Sequence, residues 1–189
     1  DPQLYEFARA GGAAAFKEHC AACHGTGAAG GHGYPNLNDD DWLWGGTLDD
    51  IYHTIKVGVR STHPDTRFTQ MPAFGRDGML TPDQIEDVAD YVAKLHEGDK
   101  ALQSSAYLRG KDLFAANCVS CHGAGGEGNR EKGVPRLNDN IWLYGGSKAD
   151  IMRQVTDPRH GVMPTWENRL SDDTIKELTV YVHSLGGGE

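Results

Sequence analysis

Four cysteines stand in two pairs, Cys20 with Cys23 and Cys118 with Cys121, and a histidine follows each pair at once. The strings are Cys20-Ala-Ala-Cys23-His24 and Cys118-Val-Ser-Cys121-His122. C-x-x-C-H is the attachment signature of c-type haem. Two thiols at this spacing reach the two vinyl groups of one haem and form thioethers. The next residue, His24 or His122, then lies under the iron as proximal ligand. Other chemistries fit less of the pattern. A thioredoxin-like pair wants a strand before it and gives the histidine no role. A zinc site wants a second ligand pair in each half, and all four cysteines are already used. Disulfides between the halves leave both histidines unexplained.

A haem held in this way has a sixth iron position to fill, and methionine there raises the reduction potential. Met71 and Met163 lie 47 and 41 residues after their proximal histidines, each just before a proline. Each also lies 10 or 8 residues before an expected helix cap, Thr81 or Ser171. They are the expected sixth ligands. His63 and His160, just upstream of the methionines, are the alternative pair. Pro35 and Pro135 follow the proximal histidines by 11 and 13 residues. Their carbonyls are expected to accept the imidazole's other N–H, fixing its tautomer. Leu37 and Leu137 are expected to pack on the haem. Trp42 and Trp142, with their Gly-Gly pairs, either line the haem edge or fill core. His19, His32, His53, His96 and His183 have no counterpart in the other half and read as solvated. Met79 and Met152 read as core or surface residues.

The elements that must position these groups come in two copies. Phe16 matches Phe114, Trp42-Leu43-Trp44-Gly45-Gly46 matches Trp142-Leu143-Tyr144-Gly145-Gly146, Met71-Pro72 matches Met163-Pro164, and Tyr91-Val92 matches Tyr181-Val182. The order is kept throughout, which marks a tandem duplication of about 90 residues. The expected organisation is a domain over 1–98, a linker over 99–105 and a second domain over 106–189. A helix is expected to lead into each cysteine pair, over roughly 4–18 and 106–116. Middle helices start at Thr47 and Ser147. Final helices start at Thr81 and Ser171, with apolar residues at helical spacing at Ile85, Val88, Ala89, Val92 and Leu95, and at Ile175, Leu178, Val182 and Leu185. Gly98 and Gly186 are their expected stops. No stretch shows a strand period. The glycine-rich loops 25–33 and 123–133 read as irregular.

Composition narrows the function. The chain has 189 residues and a formal charge of -9. That balance argues against unassisted binding to nucleic acid. No run approaches the ~18 apolar residues of a membrane helix. Residues 1–100 hold 16 acidic and 8 basic residues, and 101–189 hold 11 and 10, so the acidity belongs to the first copy.

Together these residues resemble a known family. Asn36-Leu37-Asn38-Asp39-Asp40-Asp41-Trp42-Leu43-Trp44-Gly45-Gly46 and Leu137-Asn138-Asp139-Asn140-Ile141-Trp142-Leu143-Tyr144-Gly145-Gly146 are similar to strings in the dihaem subunit (CcoP or FixP, subunit III) of cbb3-type cytochrome c oxidases. The resemblance covers nearly the whole chain. It implies an all-α fold of two tandem class I cytochrome c domains, each a few helices around one covalently bound haem c. It implies electron transfer without catalysis, from a donor cytochrome c towards the catalytic subunit, with the mono-haem and catalytic subunits as partners. The alternatives are a dihaem enzyme, such as a peroxidase or small-molecule dehydrogenase, and a haem-based gas or redox sensor. Each needs an open or labile iron site, and the matched motifs of the two halves argue against such a division. Family members have an N-terminal membrane helix, so this chain reads as a processed or truncated part. Bacterial haem thioethers form after export, so the expected location is the periplasm, with the full-length protein tethered to the inner membrane.

Overall fold

A computed structural model describes residues 1–100 and 104–188. Of the expected linker 99–105, residues 101–103 lie outside the described residues. The described part contains the helices α1 (Pro2–His19), α2 (Ala21–His24), α3 (Leu48–Val57), α4 (Pro82–Val92), α5 (Ser105–Asn117), α6 (Val119–His122), α7 (Lys148–Thr156) and α8 (Asp172–His183). Two short 3-10 turns, Leu95–Lys100 and Arg130–Lys132, join them. Among the described residues the only β pairing is isolated bridges, so the all-α expectation holds. No helix of the described residues is long and apolar enough to cross a membrane.

The helices start where side chains can satisfy their first free N–H groups. Thr47 accepts from the Asp50 N–H, Ser104 from Tyr107, and Ser171 from Thr174. Thr81 with Gln84 and Ser147 with Asp150 form complete capping boxes. Each such cap is worth about 1 kcal/mol. The final helices stop earlier than their glycines suggest. Helix α4 ends at Val92 and the chain continues as a 3-10 turn that keeps Leu95 against the core. Helix α8 ends at His183.

The chain forms two compact units, and these do not follow the sequence copies. The first gathers Asp1–Thr69, Arg130–Lys132 and Gly161–Glu189; the second gathers Gln70–Asn129 and Gly133–His160. The division expected at 99–105 describes the repeat in the sequence, whereas the cores exchange their final segments. In the first unit α8 packs on α1 and α3. Its core holds Phe16, Ile51 and Ile55 from the first copy with Ile175, Leu178 and Val182 from the second. In the second unit α4 packs on α5 and α7. Its core holds Phe74, Ile85, Val88 and Val92 from the first copy with Phe114, Ile151 and Val155 from the second.

Glycines at matched positions permit both crossings. Gly12 is buried in α1, and an added Cβ there would collide with the carbonyl of Glu177 in α8. Gly110 in α5 stands in the same relation to the carbonyl of Asp87 in α4. Only a residue without a side chain lets the backbones approach so closely.

Candidate haem-binding sites

The two attachment segments have the same geometry. Cys20 ends α1 and begins the single turn α2; Cys118 ends α5 and begins α6. Their backbones match closely, at φ -114° and ψ -32° for Cys20 and φ -115° and ψ -31° for Cys118. The N–H groups of Cys23 and His24 donate to the Cys20 carbonyl at 3.1 and 3.0 Å. Those of Cys121 and His122 donate to the Cys118 carbonyl at 3.1 and 2.9 Å. Each turn therefore holds two thiols and an imidazole in one fixed register.

The glycine-rich loops are ordered by their return over the histidines. Gly30 N–H donates to His24 O at 2.8 Å and Leu37 N–H to Ala28 O at 2.8 Å. In the second unit Gly128 N–H donates to His122 O at 2.8 Å and Leu137 N–H to Gly126 O at 2.7 Å. These bonds bring a proline carbonyl to each ring: Nδ1 of His24 lies 3.1 Å from Pro35 O, and Nδ1 of His122 lies 3.1 Å from Pro135 O. A carbonyl only accepts, so Nδ1 carries the proton and Nε2 keeps its lone pair. Burial lowers both imidazoles below their ordinary value, while the bond to proline acts the other way. Both rings are thus neutral donors.

Cys20 and Cys118 are not in a thiolate-forming setting. Burial, with help from the neighbouring cysteine, raises Cys20 and Cys118 to about 11. Cys23 and Cys121 are exposed, and none of the four is in a disulfide. A redox-active or zinc-binding thiol needs a lowered value. Among the described residues no group of three or more His, Cys, Asp and Glu converges as a metal site.

Each site gathers a methionine, a leucine and a tryptophan from the positions singled out above. Met163, Leu37 and Trp42 pack half-buried against the core of the first unit, beside Cys20. Met71, Leu137 and Trp142 do so against the core of the second, which includes Cys118. The structure therefore brings Met163 to the His24 unit and Met71 to the His122 unit. Each tryptophan is backed by its glycine, and Trp42 is held from a second side. Gly46 and Gly146 lie against the indoles of Trp42 and Trp142, and the indole N–H of Trp42 donates to Gly187 O.

The alternative histidines are engaged elsewhere. His63 Nδ1 accepts the Asp65 N–H at 3.0 Å, and its Nε2 faces Glu167 Oε2 at 2.5 Å. His160 Nε2 accepts the backbone N–H of Met71 at 3.0 Å. His63 thus has both ring nitrogens in use, and His160 supports a methionine. Met79 is exposed and Met152 is partly buried against the second core. His19, read as solvated, is half-buried with its ring 5.3 Å from Trp166. The matched Gly12 and Gly110 were the signal that the sequence reading passed over.

Comparison with known proteins decides the family. Residues 8–92 and 105–182 match the family described as cytochrome c oxidase, cbb3-type, subunit III. The chain belongs to this family. Relatives include the cbb3-type cytochrome c oxidase subunit FixP of Bradyrhizobium sp. (strain ORS 278), 55% identical over 100% of this chain and 65% of the relative. Another is subunit FixP of Rhizobium meliloti (strain 1021), 54% identical over 100% of this chain and 64% of the relative. Subunit CcoP of Cereibacter sphaeroides is 49% identical over 100% of this chain and 65% of the relative. The chain thus spans about 65% of the length of these curated relatives. Membership of a cytochrome c family implies covalently bound haem c. The donor set fits that group: paired thiols, an imidazole with its lone pair on Nε2, a half-buried thioether and apolar walls.

Proposed function

We propose that this chain is a dihaem electron relay. It is the portion of a cbb3-type oxidase subunit III that takes electrons from a donor cytochrome c and passes them towards the catalytic subunit. Its partners are the mono-haem and catalytic subunits, and it works on the periplasmic side of a bacterial membrane. One observation carries the reading. The same constellation of attachment turn, proline-bound imidazole and half-buried methionine occurs once in each unit.

Bound haem supplies a one-electron iron couple. The protein's own groups fix its setting. Cys20 and Cys23 tether one haem, and Cys118 and Cys121 the other. His24 and His122 donate through Nε2, and the Pro35 and Pro135 carbonyls hold the rings in that tautomer and make them better donors. Met71 and Met163 would each offer a thioether sulfur to a bound haem iron, which would raise its potential. Leu37 and Leu137 shield the sites from water.

A pyridine haemochrome assay with intact mass tests the reading. Two c-type haems per chain are expected, and carbon monoxide should leave the spectrum of the reduced protein unshifted. One haem per chain overturns the dihaem assignment. A shift with carbon monoxide points to the enzyme or sensor alternatives, because both need an open iron.

A further inference from the structure

The stretch from each proximal histidine to the return of its loop has the same length in both copies. His24-Gly25-Thr26-Gly27-Ala28-Ala29-Gly30 stands against His122-Gly123-Ala124-Gly125-Gly126-Glu127-Gly128. After the histidine, one ionisable side chain separates them: Glu127 stands where the first copy has Ala29. We propose that the Glu127 carboxylate holds down the reduction potential of the centre built on Cys118, Cys121 and His122, and that the centre built on Cys20, Cys23 and His24 lacks this brake. The inference rests on the dihaem reading above and deepens it.

The two stretches match in structure as well. Ala28 N–H donates to Gly25 O at 3.0 Å, and Gly126 N–H to Gly123 O at 3.2 Å. Ala29 and Glu127 each lie between that bond and the one from Gly30 or Gly128 to the histidine carbonyl. Glu127 Oε2 accepts the Gly125 N–H at 2.8 Å, which folds the carboxylate back over the loop. A Cβ added to Gly123 would collide with that carboxylate. Gly123 is bonded to His122, so the charge rests on the backbone beside the proximal histidine. In the first loop the nearest atoms to a Cβ added on Gly25 are backbone atoms of Ala29 and Gly30, at 3.8 Å and beyond.

A fixed negative charge opposes the arrival of an electron nearby, so it lowers the midpoint potential. The other charges of this region are placed differently. Arg130, Glu131 and Lys132 group with the first unit, where the Arg130 guanidinium donates to Asp40 O at 3.1 Å. Arg136, whose counterpart is Asn36, is exposed, and among the described residues no hydrogen bond or ion pair holds its guanidinium to the loop. A pinned charge keeps one position beside the histidine, whereas a solvated one is averaged and screened.

The test is an equilibrium redox titration of the full 189-residue chain matured with haem, at low salt. Cys118→Ala with Cys121→Ala, or Cys20→Ala with Cys23→Ala, leaves one haem and assigns each wave. Glu127→Gln keeps an oxygen for the Gly125 N–H and removes only the charge. It should raise the midpoint of the second centre and leave the first in place. Glu127→Lys should raise the second midpoint further, and Ala29→Glu should lower the first. The weak sulfur-to-iron band at the red end of the oxidised spectrum should persist in Glu127→Gln. The shifts should shrink as salt rises, because Glu127 is exposed and the Debye length falls from ~10 Å at 0.1 M to ~3 Å at 1 M. A merely structural role would not rank the variants by charge. A second midpoint that does not move, or a first one that moves with Glu127, overturns the proposal and leaves the dihaem reading standing. Loss of the band in Glu127→Gln also overturns it, since the shift would then come from ligation. Where a one-haem protein does not mature, the two-haem protein decides: Glu127→Gln and Ala29→Glu should move different waves, and movement of the same wave overturns the proposal. A single haem per chain in the pyridine haemochrome assay fells the dihaem reading, and the proposal with it.

Discussion

The ring of Phe16 lies 5.4 Å from the ring of Tyr181, inclined at 55°. The ring of Phe114 meets Tyr91 in the same way, at 5.2 Å and 55°. Each phenylalanine stands four residues before its first haem cysteine, and each tyrosine lies in the last third of the other copy. Tilted pairs at this distance contribute about 0.5–1.5 kcal/mol beyond their burial. The copies are therefore alike in sequence without being independent in structure.

The second unit runs almost unbroken from residue 70 to residue 160, while the first needs both ends of the chain. A fragment 70–160 should fold alone, bind one covalent haem through Cys118 and Cys121, and show the sulfur-to-iron band from Met71. A fragment 1–98 lacks α8 and should show neither native helicity nor that band. Circular dichroism and visible spectra of the two fragments decide this. A folded 1–98 with a methionine-ligated haem would contradict the exchange of segments.

Gly12→Ala and Gly110→Ala should each lower stability by about 1–3 kcal/mol, because the new methyl forces two backbones apart. The gain in helix propensity, about 1 kcal/mol, offsets only part of this. Gly11→Ala is the control. Its Cβ meets only the flexible end of Glu177, so it should be neutral or stabilising. Thermal melts of the three variants provide the comparison.

His160→Ala removes the acceptor of the Met71 N–H and leaves that donor unsatisfied, at a cost of about 1 kcal/mol. Roughly half of the sulfur-to-iron band should weaken, and one of the two midpoint potentials should fall. His160→Gln, which keeps an acceptor, should recover part of both. His63→Ala should leave the band intact, since Met163 is held by the backbone of Val59.

Burial holds His24 and His122 below the ordinary imidazole value of 6.5. The unfolded chain therefore binds more protons than the folded one once the pH drops below about 6.5. Their contribution to stability is complete above that point. It is lost progressively as the pH falls from there towards the lowered folded values, and iron ligation at Nε2 acts in the same direction. Melting temperatures across a pH series should be flat above neutrality and decline below it.

Regrouping the charges by compact unit changes the electrostatic picture. The first unit holds 15 acidic and 9 basic residues, a balance of -6, and the second holds 12 and 9, a balance of -3. Much of the first copy's acidity sits on α4, where Asp87 pairs with Arg109, and Glu86 and Asp90 pair with Lys148. The run Asp39-Asp40-Asp41 stays with the first unit, and Asp40 is its exposed member. Reduction by a basic cytochrome c should slow as salt rises, since the Debye length is ~10 Å at 0.1 M. Asp40→Lys should lower the rate at low salt and flatten that dependence in stopped-flow traces.

The attachment turns, the proline carbonyls and the helix starts were legible because each depends on residues close in sequence. Thr81 with Gln84 and Ser147 with Asp150 announce their helices within one turn. The partner of each final helix was not legible. Ile85, Val88 and Val92 on α4 form the same apolar stripe as Ile175, Leu178 and Val182 on α8. A stripe states which face is buried and not against what. Duplication makes the two partners nearly interchangeable, so the exchange leaves no local mark. The early end of α4 was hidden for a related reason: Leu95 keeps its core contact from a 3-10 turn, so the apolar spacing continues past the helix.

The backbone pair between Val59 and Met163 spans more than half the chain. A polypeptide threaded across a membrane with its N-terminus leading delivers Cys20, Cys23 and His24 first. Met163, which packs against the same core, arrives nearly last. The second unit, whose cysteines come about a hundred residues later, has all its parts once residue 160 is through. The two centres are therefore finished in the reverse of the order in which they are begun. A chain cut short before Met163 would leave the leading attachment turn without α8, the helix that completes its core.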